Sequence, residues 1–111
     1  MDALEDKIDA VIHERILKAF MDMAILSNLT KNDFMSGCDC IEFFQKTSGI
    51  SVNSGTVYAL LYAMERDGLV EGTKNQHERV YKLTEKGENT VKSVQKMTPE
   101  IGEFIKVIMN G

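Results

Sequence analysis

The chain has 111 residues, 43% of them apolar, which suits one small globular domain with its own core. The longest stretch without a charged residue, 47–64, is broken up by serine, glycine and asparagine, so it does not resemble a membrane span. Acidic residues near the start exclude a secretion signal. We therefore expect a cytoplasmic protein whose two cysteines are reduced thiols.

The net charge of −4 is unevenly distributed along the chain. Residues 1–29 hold six acids and three bases, residues 30–87 hold eight acids and seven bases, and the remainder is balanced. The middle segment also contains a basic cluster, formed by Lys74, Arg79, Lys82 and Lys86. The acidity is thus concentrated in a terminal segment that need not face a phosphate backbone.

Residues 3–26 are predicted to form a long helix. Its apolar residues recur at spacings of mostly three and four, which places them on one helical face. They are Leu4, Ile8, Val11, Ile12, Ile16, Phe20, Met23 and Leu26. Leu17, Met21 and Ile25 widen this face in the second half, so we expect the helix to contact both its own domain and a second subunit.

Two shorter helices are predicted after a polar turn at 30–36. The first, 37–47, carries Cys40, Ile41 and Phe44 on one face. After a turn at 48–53, the second covers 54–67 and ends at Gly68, a typical left-handed C-cap.

The hydrophobic period then changes from helical to alternating. Residues 69–73 and 79–83 are predicted to form two short strands, joined by a polar hairpin loop at 74–78. Thr84 has the side chain of an N-cap for a further helix, and Thr98-Pro99 indicates that this helix stops and a last one begins.

These elements predict a mainly α fold with a small β-hairpin, a winged helix-turn-helix with long N- and C-terminal dimerisation helices. One domain is expected over 1–111. It comprises the N-terminal helix (1–29), the helix-turn-helix and wing (30–87) and a C-terminal helical segment (88–111).

The helix 54–67 has two contrasting sides. Val57, Leu60, Leu61 and Met64 gather on the side that must face the core. The opposite side holds Gly55, Ala59, Tyr62 and Arg66, flanked by Tyr58, and is small enough to enter a DNA major groove. Ser54 and Thr56, near its start, can contact phosphate or base edges. The competing interpretation is an ordinary amphipathic helix whose tyrosines pack on a neighbour.

The hairpin loop adds a second candidate contact. Lys74, Asn75, Gln76, His77 and Arg79 crowd a short segment, and basic and amide side chains suit phosphate or minor-groove contacts. A solvated turn without function is the alternative. A groove-sized helix face followed directly by a basic hairpin favours DNA binding.

Three segments together resemble the PadR family of transcription regulators. Residues 54–58 are Ser-Gly-Thr-Val-Tyr, 67–70 are Asp-Gly-Leu-Val, and 79–87 are Arg-Val-Tyr-Lys-Leu-Thr-Glu-Lys-Gly. They are similar to that family's Gly-Thr-x-Tyr, Gly-Leu-Val/Ile and Tyr-x-Leu-Thr-x-x-Gly. Gly37 and the residues after it also resemble its Gly-Tyr-x-Ile-x-x-x-Leu helix, with Cys38 where tyrosine is usual. The resemblance covers about residues 23–94.

The resemblance implies a sequence-specific regulator of double-stranded DNA, acting as a homodimeric repressor. With the helix face and the hairpin, it predicts DNA contacts at Ser54, Thr56, Tyr58, Tyr62, Arg66, Lys74, Gln76 and Arg79. The predicted dimer interface uses Leu4, Ile8, Val11, Phe104, Ile105 and Ile108. Two recognition helices would lie ~34 Å apart on a pseudo-palindromic operator.

The sequence predicts no enzyme, no metal site and no cofactor. Cys38 and Cys40 lie two apart on a helix and point roughly 200° from one another, which disfavours a disulfide between them. The remaining metal-ligand candidates, His13 and His77, are far apart in sequence. No nucleophile–base arrangement or glycine-rich phosphate loop is present.

Two alternatives stay open at this point. Net acidity and the single arginine on the third helix also fit a winged-helix protein-interaction module without DNA binding. An exposed Cys38 would fit a thiol-responsive regulator. A small-molecule effector is possible, but its identity is not predicted, since the chain has no tryptophan to stack on a planar ligand.

Overall fold

Seven elements follow one another along residues 3–110, the part of the chain that this computed structural model describes, with side chains described from Asp6 onward. They are α1 (Ala3–Leu29), β1 (Met35–Ser36), α2 (Gly37–Ser48), α3 (Ser54–Arg66), β2 (Val70–Asn75), β3 (Glu78–Leu83) and α4 (Glu85–Asn110). The predicted winged helix-turn-helix class is confirmed. None of the helices in this range is long and apolar enough to cross a membrane.

Side chains at the helix ends fix the boundaries of α3 and α4. The Asn53 side chain accepts a hydrogen bond from the Gly55 amide at 2.8 Å and so caps the start of α3. Gly68, just past the end of α3, has the left-handed φ of 78° that was predicted for it. Thr84 caps α4 as predicted, because its hydroxyl accepts from the Gly87 amide at 3.0 Å.

The sheet has three antiparallel strands in the order β1-β3-β2, where the sequence predicted a hairpin alone. Met35 pairs with Tyr81, and Ser36 pairs with Val80. The sequence predicted only a turn at 30–36. A strand of two residues is too short to show the alternation of apolar and polar residues that identifies a strand in a sequence. It is defined only by its pairing with β3.

The hairpin between β2 and β3 is longer than predicted. Pairing continues as far as Asn75 and Glu78, which leaves Gln76 and His77 as a two-residue tip. Gln76 has a φ of 58°, as tight hairpin turns require. The predicted five-residue loop 74–78 is therefore wrong, because backbone pairing extends into polar residues that show no strand pattern.

The core lies where the second half of α1, the helix pair α2–α3, the sheet and the start of α4 meet. Its packing confirms the predicted inward faces of α2 and α3. The clustered buried side chains are Met21, Ile25, Leu26, Leu29, Met35, Cys40, Phe44, Val57, Leu61, Met64, Val70, Tyr81 and Val91.

Helix α4 runs through Pro99 without a break, so the predicted stop at Thr98-Pro99 is wrong. Proline removes one N–H donor but keeps a helical φ, and its exposed position lets water reach the carbonyl that loses its partner. The Thr98 hydroxyl donates to the Val94 carbonyl at 2.8 Å. Because α4 continues through Pro99, Val94 and Ile101 line the same groove against α1.

Candidate nucleic-acid interface

Helix α3 presents one buried and one open side. Val57 and Leu61 are completely buried. On the open side, Tyr62 is 67% exposed and Arg66 is also exposed, its Nε 3.6 Å from the carboxylate of Asp67. Tyr62 therefore does not pack on a neighbour within the chain and is available to a partner.

The start of α3 carries polar groups that face solvent. Ser54 and Thr56 are exposed, and neither hydroxyl has a hydrogen-bond partner among the described residues. The first amides of a helix are partly unsatisfied and carry a partial positive charge. This end of α3 can therefore receive a phosphate oxygen or donate to a base edge.

Tyr58 differs from Tyr62 because its ring lies against α2. A Cβ placed on Gly37 would lie 2.3 Å from Cε1 of this ring, so the absence of a side chain there makes room for it. Its hydroxyl is 3.9 Å from the Cys38 sulfur. Contact with Cys38, with burial adding to it, raises the pKa of Tyr58. Tyr58 is still 46% exposed, which leaves an edge of the ring open.

At the wing, the predicted contacts occupy different places. Gln76 lies at the hairpin tip, whereas Lys74 and Arg79 lie opposite one another across β2 and β3. All three are exposed. Lys74 has no ion-pair partner among the residues whose side chains are described.

Arg79, by contrast, is occupied within the chain. Its guanidinium donates to the Glu65 carboxylate at 2.6 Å and lies 5.8 Å from the centre of the Tyr81 ring. The hydrogen bond and charge of Glu65 raise the Arg79 pKa. The sequence did not assign a role to Glu65. The sequence does contain an acid on α3 and an arginine on β3 that could pair. Because they are 14 residues apart, the sequence alone does not reveal their contact.

The other two members of the basic cluster also have internal partners. Lys82 lies 3.9 Å from a Glu71 carboxylate oxygen. The Lys86 ammonium donates to the Asp67 carbonyl at 2.8 Å, at the end of α3. Of the cluster, Lys74 is thus the cation with neither an ion pair nor a hydrogen bond to any of the described residues.

The helices α1 and α4 expose apolar side chains that a monomer leaves in water. Phe104 is 65% exposed, and Ile8, Val11 and Ile108 are about half exposed. Ile105 is partly buried, and the Leu4 side chain lies outside the described residues. An apolar groove of about 280 Å³ between the helices is lined by Phe20, Met23, Ala24, Ser27, Val94, Thr98 and Ile101.

The two cysteines have opposite environments. Cys40 is fully buried, and desolvation, with the nearby charge of Asp39, raises its pKa to about 12. Cys38 is exposed, and both are free thiols. Within the described part of the chain, no three His, Cys, Asp or Glu side chains are placed to hold a metal ion.

The transcriptional regulator PadR-like family matches residues 25–93. No curated protein matches the chain significantly.

Solved structures of PadR regulators share the fold. A PadR family regulator of Clostridium difficile R20291 is 25% identical, with a TM-score of 0.62 over 82% of this chain and 95% of its own. A PadR-like regulator of Bacillus cereus is 20% identical, with a TM-score of 0.74 over 87% and 98%. One from Eggerthella lenta is 18% identical, with a TM-score of 0.75 over 97% of both chains.

The family match spans more than half of the chain and includes α2, α3, the sheet and the start of α4. It confirms the resemblance inferred from the helix and wing motifs. Members of this family are transcriptional regulators and not enzymes, in agreement with the sequence prediction. The chain belongs to the PadR-like family of DNA-binding transcriptional regulators.

Proposed function

We propose that this regulator binds a specific operator as a homodimer and acts as a repressor by occupying the duplex. The observation that carries the proposal is the open face of α3, the proposed recognition helix, which is followed along the chain by a hairpin whose exposed Lys74 has no ion-pair partner among the described side chains. A helix face of this kind fits the major groove, and an adjacent cation fits the phosphate backbone.

The proposed DNA contacts divide by their chemistry. The tyrosine and arginine side chains of α3 would meet base edges, while hydroxyls at its start and the wing would meet the backbone. The first group is Tyr58, Tyr62 and Arg66, and the second is Ser54, Thr56, Lys74 and Gln76. Arg79, also predicted to contact DNA, has an internal partner in Glu65.

The proposed dimer uses the exposed apolar stripes of α1 and α4. Ile8 and Val11 on α1, with Phe104, Ile105 and Ile108 on α4, would be covered by the second copy; Leu4 would join them. Two-fold symmetry would place the two recognition helices on an operator with matching symmetry, at a separation of ~34 Å.

The acidic net charge does not contradict this arrangement, because its excess lies in α1. Asp6 and Asp9 are at the start of that helix, which the proposal assigns to the dimer and not to DNA, whereas Glu14 lines a cavity with Thr56 and is balanced there by Lys18, its ion-pair partner at 3.0 Å. The cytoplasmic location expected from the sequence is part of the proposal.

A thiol response is a second candidate, since Cys38 is exposed and its sulfur is 3.9 Å from the Tyr58 hydroxyl. Oxidation at this sulfur would add bulk against a proposed base-contacting residue. If the protein responds to oxidants in this way, Cys38→Ser abolishes the change in DNA binding. An oxidant response that survives this substitution rules the candidate out.

The salt dependence of binding tests the DNA contact directly. Lys74→Gln should lower affinity for all duplexes alike and reduce the slope of log affinity against log salt by about 2, because the proposed homodimer loses one phosphate contact in each subunit. Lys96→Gln is the matched control, since Lys96 is exposed on α4, to which no DNA contact is assigned. If Lys74→Gln leaves the slope unchanged, the protein-interaction alternative is favoured.

A further inference from the structure

We infer that Glu65 and Arg79 together hold the wing in position against the recognition helix, so that Arg79 affects DNA binding through Glu65 and not by contacting phosphate. This inference rests on the proposed DNA-binding function. It assigns positioning roles to one residue of α3 and one of β3.

The Glu65 carboxylate joins the helix to both strands of the hairpin. One of its oxygens, Oε2, accepts from the Gly72 amide on β2 at 3.1 Å and from the Arg79 guanidinium on β3 at 2.6 Å. Glu65 is only partly exposed, at 30% of its side chain, so water competes less for these bonds than at an open surface. One acceptor therefore fixes both wing strands to one turn of α3.

Gly72 is the residue that allows this contact. A Cβ at this position would lie 2.7 Å from Nε, 2.8 Å from Nη2 and 2.9 Å from Cζ of Arg79. The guanidinium thus lies across β2 in the space where a side chain would stand. The register places Gly72 opposite Tyr81, whose ring the same guanidinium approaches, so all three lie on one face of the hairpin.

Lys74 provides the contrast within the same hairpin. It pairs in register with Arg79, and the two cations would repel one another if both were unpaired. Glu65 neutralises Arg79, whereas Lys74 has no such partner among the described side chains. The hairpin therefore carries two cations with different surroundings. Arg79 is paired within the chain, whereas Lys74 has no partner among the described side chains and is available to contact DNA.

The substitution Glu65→Gln shows whether Arg79 positions the wing or contacts DNA directly, because the two roles predict opposite changes in DNA affinity. It removes a negative charge near the proposed DNA surface and releases Arg79, so a purely electrostatic account predicts tighter binding to every duplex. If Glu65 positions the wing, binding to the selected operator weakens instead. We expect a loss of about three- to tenfold, the range of a partly exposed charged hydrogen bond.

The experiment compares operator and scrambled duplexes for the wild type, Glu65→Gln, Arg79→Gln and the double variant. Both single variants should lose affinity for the operator and little for the scrambled duplex, and the double variant should be no worse than either. Glu71→Gln is the matched control: it removes the same charge from β2, where Glu71 faces Lys82 and not α3. It should not weaken operator binding.

A second readout, independent of DNA, is the backbone order of residues 72–79 measured by NMR relaxation. We expect order to fall in Glu65→Gln and Arg79→Gln but not in Lys74→Gln. If the wild type binds no duplex, the proposed function fails while this readout still decides the positioning role. Tighter operator binding by Glu65→Gln, or a wing whose order is unchanged in that variant, would overturn the inference.

Discussion

Tyr58 of the recognition helix lies over Gly37, the first residue of α2, at a distance that leaves no room for a side chain. A Cβ on Gly37 would be 2.3 Å from Cε1 and 2.5 Å from Cζ of the ring. The atoms in conflict belong to the far end of a half-exposed side chain, which can rotate away. Gly37 therefore sets the orientation of Tyr58 more than it sets the stability of the fold.

Gly37→Ala should consequently change DNA binding without unfolding the protein. Alanine gains up to about 1 kcal/mol over glycine within a helix, which offsets the cost of moving the ring. We expect a melting temperature within a few degrees of the wild type and an operator affinity lowered as much as in Tyr58→Ala. An unchanged affinity in Gly37→Ala would show that the orientation of Tyr58 has no part in binding.

Substitution by alanine should have opposite effects on stability at Gly87 and at Gly102, two glycines of α4. A Cβ on Gly87 would lie 2.1 Å from the Leu69 carbonyl oxygen, a backbone atom that already accepts from Thr84, whereas nothing lies within 4 Å of Gly102. Gly87→Ala should cost about 1–3 kcal/mol of unfolding free energy, as overpacking does. Gly102→Ala should gain about 0.5–1 kcal/mol. Urea denaturation of both variants measures these changes, and equal effects would contradict the described packing.

The burial of Cys40 predicts a loss of stability in alkali. Its folded pKa of about 12 lies above the ordinary thiol value of 9.0, so the folded state keeps a proton that the unfolded state releases. Stability from this group is complete below about pH 9 and falls as pH rises towards 12, by up to ~1.4 kcal/mol per pH unit. Other groups also titrate there, so the measurement is the difference in slope between the wild type and Cys40→Ala. Identical slopes would contradict the burial.

The same environments predict that only one thiol reacts in the native protein. At pH 8 an alkylating reagent should label the exposed Cys38 quickly and the buried Cys40 only after denaturation. Mass spectrometry after timed quenching locates the label. Rapid native labelling in Cys38→Ser would mean that the core around Cys40 opens readily.

The exposed apolar stripes predict a dimer that one charge can disrupt. Phe104→Glu and Ile108→Glu should shift the protein from dimer to monomer in sedimentation equilibrium, because each places a carboxylate in a face that the second copy must cover. Lys106→Glu is the control, as its helical position is about 200° from both residues. A wild type that is already monomeric at micromolar concentration would contradict the proposed interface.

Local patterns in the sequence were sufficient for the positions of α1, α2 and α3 and for the boundary residues Gly68 and Thr84. The 3.6-residue period identified the buried side of α3 at Val57 and Leu61, and Gly68 and Thr84 marked the end of α3 and the start of α4. These features depend on neighbours within one or two turns. Such short-range signals can be recognised in a single sequence.

The features that the sequence did not predict depend on distant partners or on competing local preferences. The strand Met35–Ser36 exists through its pairing with β3, and the Glu65–Arg79 ion pair joins elements 14 residues apart. Arg79 was predicted as a DNA contact from its place in a basic hairpin and from the family resemblance, and neither reveals its partner Glu65. At Pro99 a local stop signal was overridden by packing along α4.

Selection from a randomised duplex pool at low salt tests whether α3 and the wing bind a symmetric operator as a dimer. We expect enrichment of an inverted repeat whose half-sites are about one helical turn apart, with affinity falling steeply as salt rises. If no sequence is enriched and binding stays weak even at low salt, operator binding by a dimer is contradicted, and α3 and the wing would serve a protein partner.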